Sequence, residues 1–120
     1  MNTRTCKAKG RRLQNKVAKD LNNKLFYDYG SVESDWKPKE GDIKPAIMGE
    51  SGRDIILSPK AEEWIPFDIE CKNCETWSVP KWWKQAVVNA KEGRKPLLVM
   101  KKNRHEELVV MRWKDLLELL

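Results

Sequence analysis

Residues 53–72 read RDIILSPKAEEWIPFDIECK, and the parsing of this stretch decides most of the fold. Arg53-Asp54-Ile55-Ile56-Leu57 is rich in β-branched side chains and is halted by Ser58-Pro59, so it reads as a strand. Residues 65–72 alternate apolar and polar side chains after Phe67 and read as a second strand, with Lys60 to Trp64 as the connection. Successive side chains of a strand point to opposite faces. Asp68, Glu70 and Lys72 therefore share one face, and Phe67, Ile69 and Cys71 the other. Asp54, at the start of the neighbouring strand, can bring a second carboxylate beside Glu70 across the sheet. Two carboxylates and an amine at a sheet edge suit Mg²⁺, a hard cation usually held by one or two carboxylates together with water and substrate phosphate. Such an ion stabilises charge on a scissile phosphate and lowers the pKa of a bound water, which Lys72 is placed to orient or deprotonate.

Outward from this core, Lys9 to about Leu25 is an amphipathic helix. Leu13, Val17, Leu21 and Leu25 recur on one face, and Lys9, Arg12, Lys16 and Lys19 on another. Asn22 and Asn23 weaken its end. Residues 28–52 carry no sustained periodicity and include four glycines, Pro38 and Pro45, so they are expected to form a long, mobile, substrate-binding loop, divided by a short strand near Ile43–Met48. Downstream, Pro80 suits the first turn of a helix that runs to Glu92 and is closed by Gly93, with Trp83, Ala86, Val87 and Ala90 as its apolar stripe. Leu97–Met100 and Leu108–Met111 read as a strand hairpin and Trp113–Leu120 as a terminal helix. The sum is a single α/β domain over residues 1–120, with a mixed central β-sheet flanked by helices.

Composition sets the outer bounds. The chain has 120 residues, 24 Lys+Arg against 18 Asp+Glu, and a formal net charge of +6. Residues 1–24 carry a net charge of +7, residues 25–70 a net −6 and residues 71–120 a net +5. Two basic segments flanking an acidic one place a polyanion-binding surface beside a group of carboxylates, the charge layout of a metal-dependent enzyme acting on a phosphodiester backbone. No stretch approaches the ~18–20 consecutive apolar residues of a bilayer-spanning helix, and the first residues lack the apolar core of a signal peptide. With three cysteines, an odd number, the reading is of a reduced, cytoplasmic protein with no membrane partner.

Asp54, followed after fifteen intervening residues by Glu70-Cys71-Lys72, resembles the D…ExK signature of the PD-(D/E)XK nuclease superfamily. The element order is similar to the restriction-endonuclease-like core of that superfamily, of αβββαβ type. Within it, the small size, the basic first helix, the loop before Asp54 and Gln85 on the helix after the motif are similar to archaeal-type Holliday junction resolvases, which also occur in viruses. The resemblance runs from Lys9 to about Met111. It implies a Mg²⁺-dependent endonuclease, with Mn²⁺ as the natural substitute, acting as a homodimer to make paired nicks in four-way DNA junctions; a viral member would work in the host cytoplasm. On this resemblance Asp54 and Glu70 bind the metal, the backbone carbonyl of Cys71 completes its coordination, Lys72 handles the nucleophilic water and Gln85 supports the site. The sequence departs from the pattern at two positions. Arg53 stands where the motif has its proline, and Gln14 occupies the first-helix position where many relatives carry a glutamate; Asp68, on the face of Glu70, is the candidate to compensate.

The remaining candidates concern nucleic acid. Lys9, Arg11, Arg12, Lys16 and Lys19 are expected to contact phosphates, as are Lys37 and Lys39, with Trp36 as the candidate to stack on an unpaired or distorted base. Trp64, Trp77, Trp83 and Trp113 read as buried. Cys71 and Cys74 form a CxxC with no second pair to complete a zinc site, and His105 lies in a polar turn. Leu116, Leu117, Leu119 and Leu120 leave an apolar surface suited to packing or dimerisation. Two other activities fit the same residues: a PD-(D/E)XK nuclease acting on flaps, single strands or duplex, and a non-catalytic DNA-binding protein in which Gln14 marks a decayed site.

Overall fold

The leading helix is longer than its apolar stripe. In the computed structural model, which describes residues 3–27, 36–47 and 52–120, helix α1 spans Thr3–Tyr27. Its first two turns contain no helix breaker, and Gly10 in its interior costs only about 1 kcal/mol relative to alanine. Leu13, Val17, Ala18 and Leu25 are buried and Leu21 is half-buried, as the four-residue recurrence requires. Asn22 does not weaken the helix. Its amide donates to the carbonyls of Ala18 (2.9 Å) and Ile43 (3.0 Å), tying α1 to the first strand.

Strands β1 (Ile43–Pro45) and β2 (Ile55–Leu57) pair antiparallel, Ile43 opposite Leu57. β1 is shorter than the expected strand, and Met48 lies outside the described residues, as does much of the expected substrate loop: residues 28–35 and 48–51. The connection from Lys60 to Trp64 is a short helix, α2 (Pro59–Trp64). The Ser58 hydroxyl caps it by accepting from the Ala61 N–H, and Pro59 fills its first position.

β3 (Phe67–Asn73) and β4 (Lys95–Lys101) are parallel, joined by helix α3 (Val79–Asn89), and β5 (Leu108–Val110) pairs antiparallel with β4. Helix α4 (Trp113–Leu119) follows. The sheet order is β3-β4-β5, with β1-β2 as a separate pair. This is the mixed α/β architecture expected from the sequence, compatible with a restriction-endonuclease-like core.

The alternation along β3 and β4 sorts the apolar residues into two layers. Ile69, Cys71 and Val99 pack with α1, β1 and β2. Leu98 and Met100 pack with Trp82 and Ala86 of α3, four residues apart on one helical face. The α3 stripe is thus centred on Trp82 rather than Trp83, which is half-buried at its margin. α3 ends at Asn89, three residues earlier than expected, because Ala90 is already extended (φ −73°, ψ 136°); Gly93, at φ 83°, then turns the chain into β4. Trp64 and Trp77 are half-buried, whereas Trp113 is 69% exposed, contrary to its expected burial. No described helix is long and apolar enough to cross a membrane.

Candidate active site

Asp54 precedes β2, and its backbone replaces a missing stretch of ladder. The Asp54 N–H donates to the Ile69 carbonyl at 3.0 Å, and Asp54 Oδ2 accepts from the Cys71 N–H at 2.7 Å. A strand residue offers its N–H and C=O to the same side, and alternate residues to opposite sides. Since Pro66 gives its carbonyl to Lys95 of β4 while Ile69 gives its carbonyl to Asp54, odd-numbered residues of β3 face β2 and even-numbered ones face β4. The Cys71 carbonyl therefore lies on the edge of β3 where the Asp54 carboxylate sits.

Glu70 reaches the same place by its side chain. It is only 3% exposed, its carboxyl shares a hydrogen bond with that of Asp54, and its Oε2 accepts from Asn89 Nδ2 at 3.2 Å. The Lys72 ammonium stands 3.8 Å from Glu70 Oε1. Burial, and after it the adjacent Asp54 charge, push the Glu70 carboxyl up to about 7; burial also raises Asp54, against the opposing pull of the Cys71 N–H and Lys72. The Cys71 thiol, on the other face of β3, is raised chiefly by burial and is inert as a nucleophile. Sequence alternation thus brought Asp54, Glu70 and Lys72 together.

A family model described as "Phage putative PDDEXK endonuclease" matches residues 5–120. The chain belongs to this family. It is a nuclease of the PD-(D/E)XK type, and enzymes of that type act on DNA and generally use divalent metal ions. No curated protein and no solved structure matches it.

Other candidate residues of this PD-(D/E)XK nuclease sit differently from their sequence reading. Gln85 of α3 is exposed, and Asn89, one turn later, makes the contact with Glu70. Nothing in a single sequence distinguishes these two amides except their four-residue spacing on one helix. Gln14 is half-buried on α1, against the opposite face of the sheet, with no polar contact to Asp54, Glu70 or Lys72 among the described residues. Asp68 does not compensate for it, because its carboxylate is taken by Arg53 and Arg94, each at 3.1 Å, and by the Lys91 N–H at 2.9 Å. No group of three or more His, Cys, Asp or Glu side chains converges among the described residues; the carboxylates that meet here are those of Asp54 and Glu70.

The basic stripe of α1 is also thinner than it reads. Lys9 is 6% exposed, buried against Glu75 at 3.8 Å, and its carbonyl accepts from Asn73 Nδ2. Lys16 is compensated by Asp20 (2.7 Å) and Glu107 (2.6 Å). Arg11, Arg12 and Lys19 remain exposed with no ion-pair partner among the described residues. Trp36 stacks on Trp64 (5.8 Å between centroids, 12° between planes) rather than standing free for a base. Lys37 lies over the Phe26 ring at 4.8 Å and Lys39 is exposed.

From this follows a prediction on affinity. Replacing Arg11, Arg12 and Lys19 by alanine should flatten the log–log salt dependence of DNA binding by about 2–3, while the Lys9/Lys16 double alanine variant leaves the slope unchanged. Titration at several salt concentrations measures both, and an unchanged slope in the triple variant would make α1 a solvated face.

Proposed function

We propose that this nuclease is a Mg²⁺-dependent, structure-selective endonuclease that cuts four-way DNA junctions, with Asp54, Glu70 and the Cys71 carbonyl as metal ligands. One observation carries the reading: the buried Glu70 carboxylate and the half-buried Asp54 carboxylate lie against each other, with the Lys72 amine 3.8 Å from Glu70. Like charges so placed raise each other's pKa and disfavour ionisation, and a divalent cation is the partner that reverses this. All the donors are hard oxygens, which fits Mg²⁺, with Mn²⁺ as substitute. When bound, the ion would supply positive charge at the scissile phosphate and a more acidic water. Lys72, a quarter exposed at the side chain, orients the attacking water or hydrogen-bonds the phosphate; Asn89 holds the Glu70 carboxylate in its rotamer.

The four-way junction as substrate rests on the resemblance of the chain to junction resolvases, and paired nicks require two sites. A second copy has a suitable surface in β5 and α4, where Leu108, Val109, Trp113, Leu117, Leu119 and Leu120 are all 44–89% exposed. The test is digestion of a synthetic junction in Mg²⁺ beside a flap, a single strand and plain duplex. Symmetric paired nicks in the junction alone are expected. Preferential cutting of a flap or duplex would replace the substrate, and binding without cleavage in Mg²⁺ or Mn²⁺ would replace catalysis by DNA binding.

A further inference from the structure

The two carboxylates come from two sheets that share almost no ladder. β2 meets β3 through the Asp54 N–H to Ile69 bond and through the Asp54 carboxylate itself. A carboxylate that must turn toward a ligand is a poor anchor for its own strand, so the separation of Asp54 and Glu70 has to be fixed by something else.

One residue before Asp54, the half-buried Arg53 sends Nη1 to Asp68 Oδ1 (3.1 Å) and to Glu62 Oε1 (3.3 Å). Asp68 lies two residues before Glu70 on the same face of β3, with its side chain 1% exposed. It also accepts from the Lys91 N–H, two residues beyond Asn89, at 2.9 Å, and from Arg94 Nε at 3.1 Å. Arg94 in turn donates to the carbonyls of Glu62 (2.9 Å) and Phe67 (3.0 Å). One carboxylate therefore gathers the three segments that carry Asp54, Glu70 and Asn89. A proline before Asp54 would restrain that backbone through its fixed φ; Arg53 restrains it through a side chain tied to the next strand.

We propose that Arg53 and Asp68 form a positioning clamp that holds Asp54 at its working distance from Glu70. Neither residue is among the proposed metal ligands, and both are held by protein partners. The proposal rests on the reading of Asp54 and Glu70 as metal ligands, and the experiment separates the two. Arg53→Met, Arg53→Lys and a control in the core at the far end of β1, Ile43→Val, would each be examined by hydrogen exchange of the Cys71 amide in metal-free protein and by Mn²⁺ binding read from electron paramagnetic resonance. The Cys71 amide reports Asp54 directly, because Asp54 Oδ2 is its acceptor.

In Arg53→Met the Cys71 amide should lose protection relative to its β3 neighbours and the Mn²⁺ dissociation constant should rise about 10-fold, in line with the effect of residues that orient metal ligands. Arg53→Lys should fall between, and Ile43→Val should change neither beyond its global loss of stability. An Arg53→Met protein with wild-type Cys71 protection and wild-type Mn²⁺ affinity overturns the clamp. Should Arg53→Met not fold, a wild-type result for both readouts in Arg53→Lys and Arg53→Gln overturns it equally. If wild type binds no Mn²⁺ while the Cys71 amide still responds to Arg53, the clamp stands as a device that places Asp54, and it is the metal-site reading that fails.

Discussion

Glu70→Gln should abolish cleavage while making the metal-free protein more stable. The activity loss is expected to reach about 10³-fold, because the substitution removes one of two charged donors from a site whose chemistry is electrostatic. The stability gain follows from the sign of the pKa shift. Burial and the Asp54 charge hold the Glu70 carboxyl at about 7 in the folded state, above the ordinary value of 4.5. Below pH 4.5 the carboxyl is protonated in both states and burial of the neutral group is unopposed. As pH rises through 7 the folded protein must ionise it beside Asp54, and that stability is lost. Glutamine keeps the shape and never ionises. The difference in stability between Glu70→Gln and wild type should therefore be small at pH 4.5 and grow to about 2 kcal/mol at pH 8. Thermal melts in EDTA at the two pH values measure it, and Mg²⁺ should raise the melting temperature of wild type but not of the variant. A variant less stable than wild type at pH 8 would show that the two carboxylates do not repel.

The residues of this site differ in how far sequence could place them, for a geometric reason. Strand alternation is local, so the grouping of Glu70 with Lys72, and its meeting with Asp54 on the next strand, could be read from residues 53–72 alone. Ser58-Pro59 is also a local signal, a cap followed by a first-turn proline, but the same pair serves equally as the end of a strand. The role of Asp68 is hidden from the sequence because its partners are remote: Arg94 is 26 residues away and Lys91 is 23, and no periodicity links them. Lys9 fails differently. It follows the same steps of three and four as Arg12, Lys16 and Lys19, yet the end of β3 covers it, with Glu75 supplying its counter-charge. A helical stripe states which residues share a face and leaves open how much of that face is covered. Trp36 found an aromatic partner in Trp64, on a helix that the sequence reading treated as a connection.

Asp68→Asn should be the most destabilising single substitution of a polar residue in this nuclease. The carboxylate is buried and faces two guanidinium groups, Arg53 and Arg94, whose side chains are themselves only 11% and 13% exposed. Removing one partner of such a cluster leaves uncompensated buried charge, at a cost of about 3–5 kcal/mol. For a domain of this size that corresponds to a fall of roughly 10–20 °C in melting temperature. Arg53→Met should cost much less, because Asp68 keeps Arg94 and the Lys91 N–H, and Glu62 keeps Lys91 at 3.1 Å. The asymmetry is the discriminating result. If the cluster were a surface ion-pair network, each loss would cost less than about 1 kcal/mol and the two variants would melt together. If Asp68 is the hub, Asp68→Asn should fall well below Arg53→Met in chemical denaturation, and adding Arg53→Met to Asp68→Asn should recover part of the loss, since it removes one of the two cations that lose Asp68, the one left with Glu62 alone.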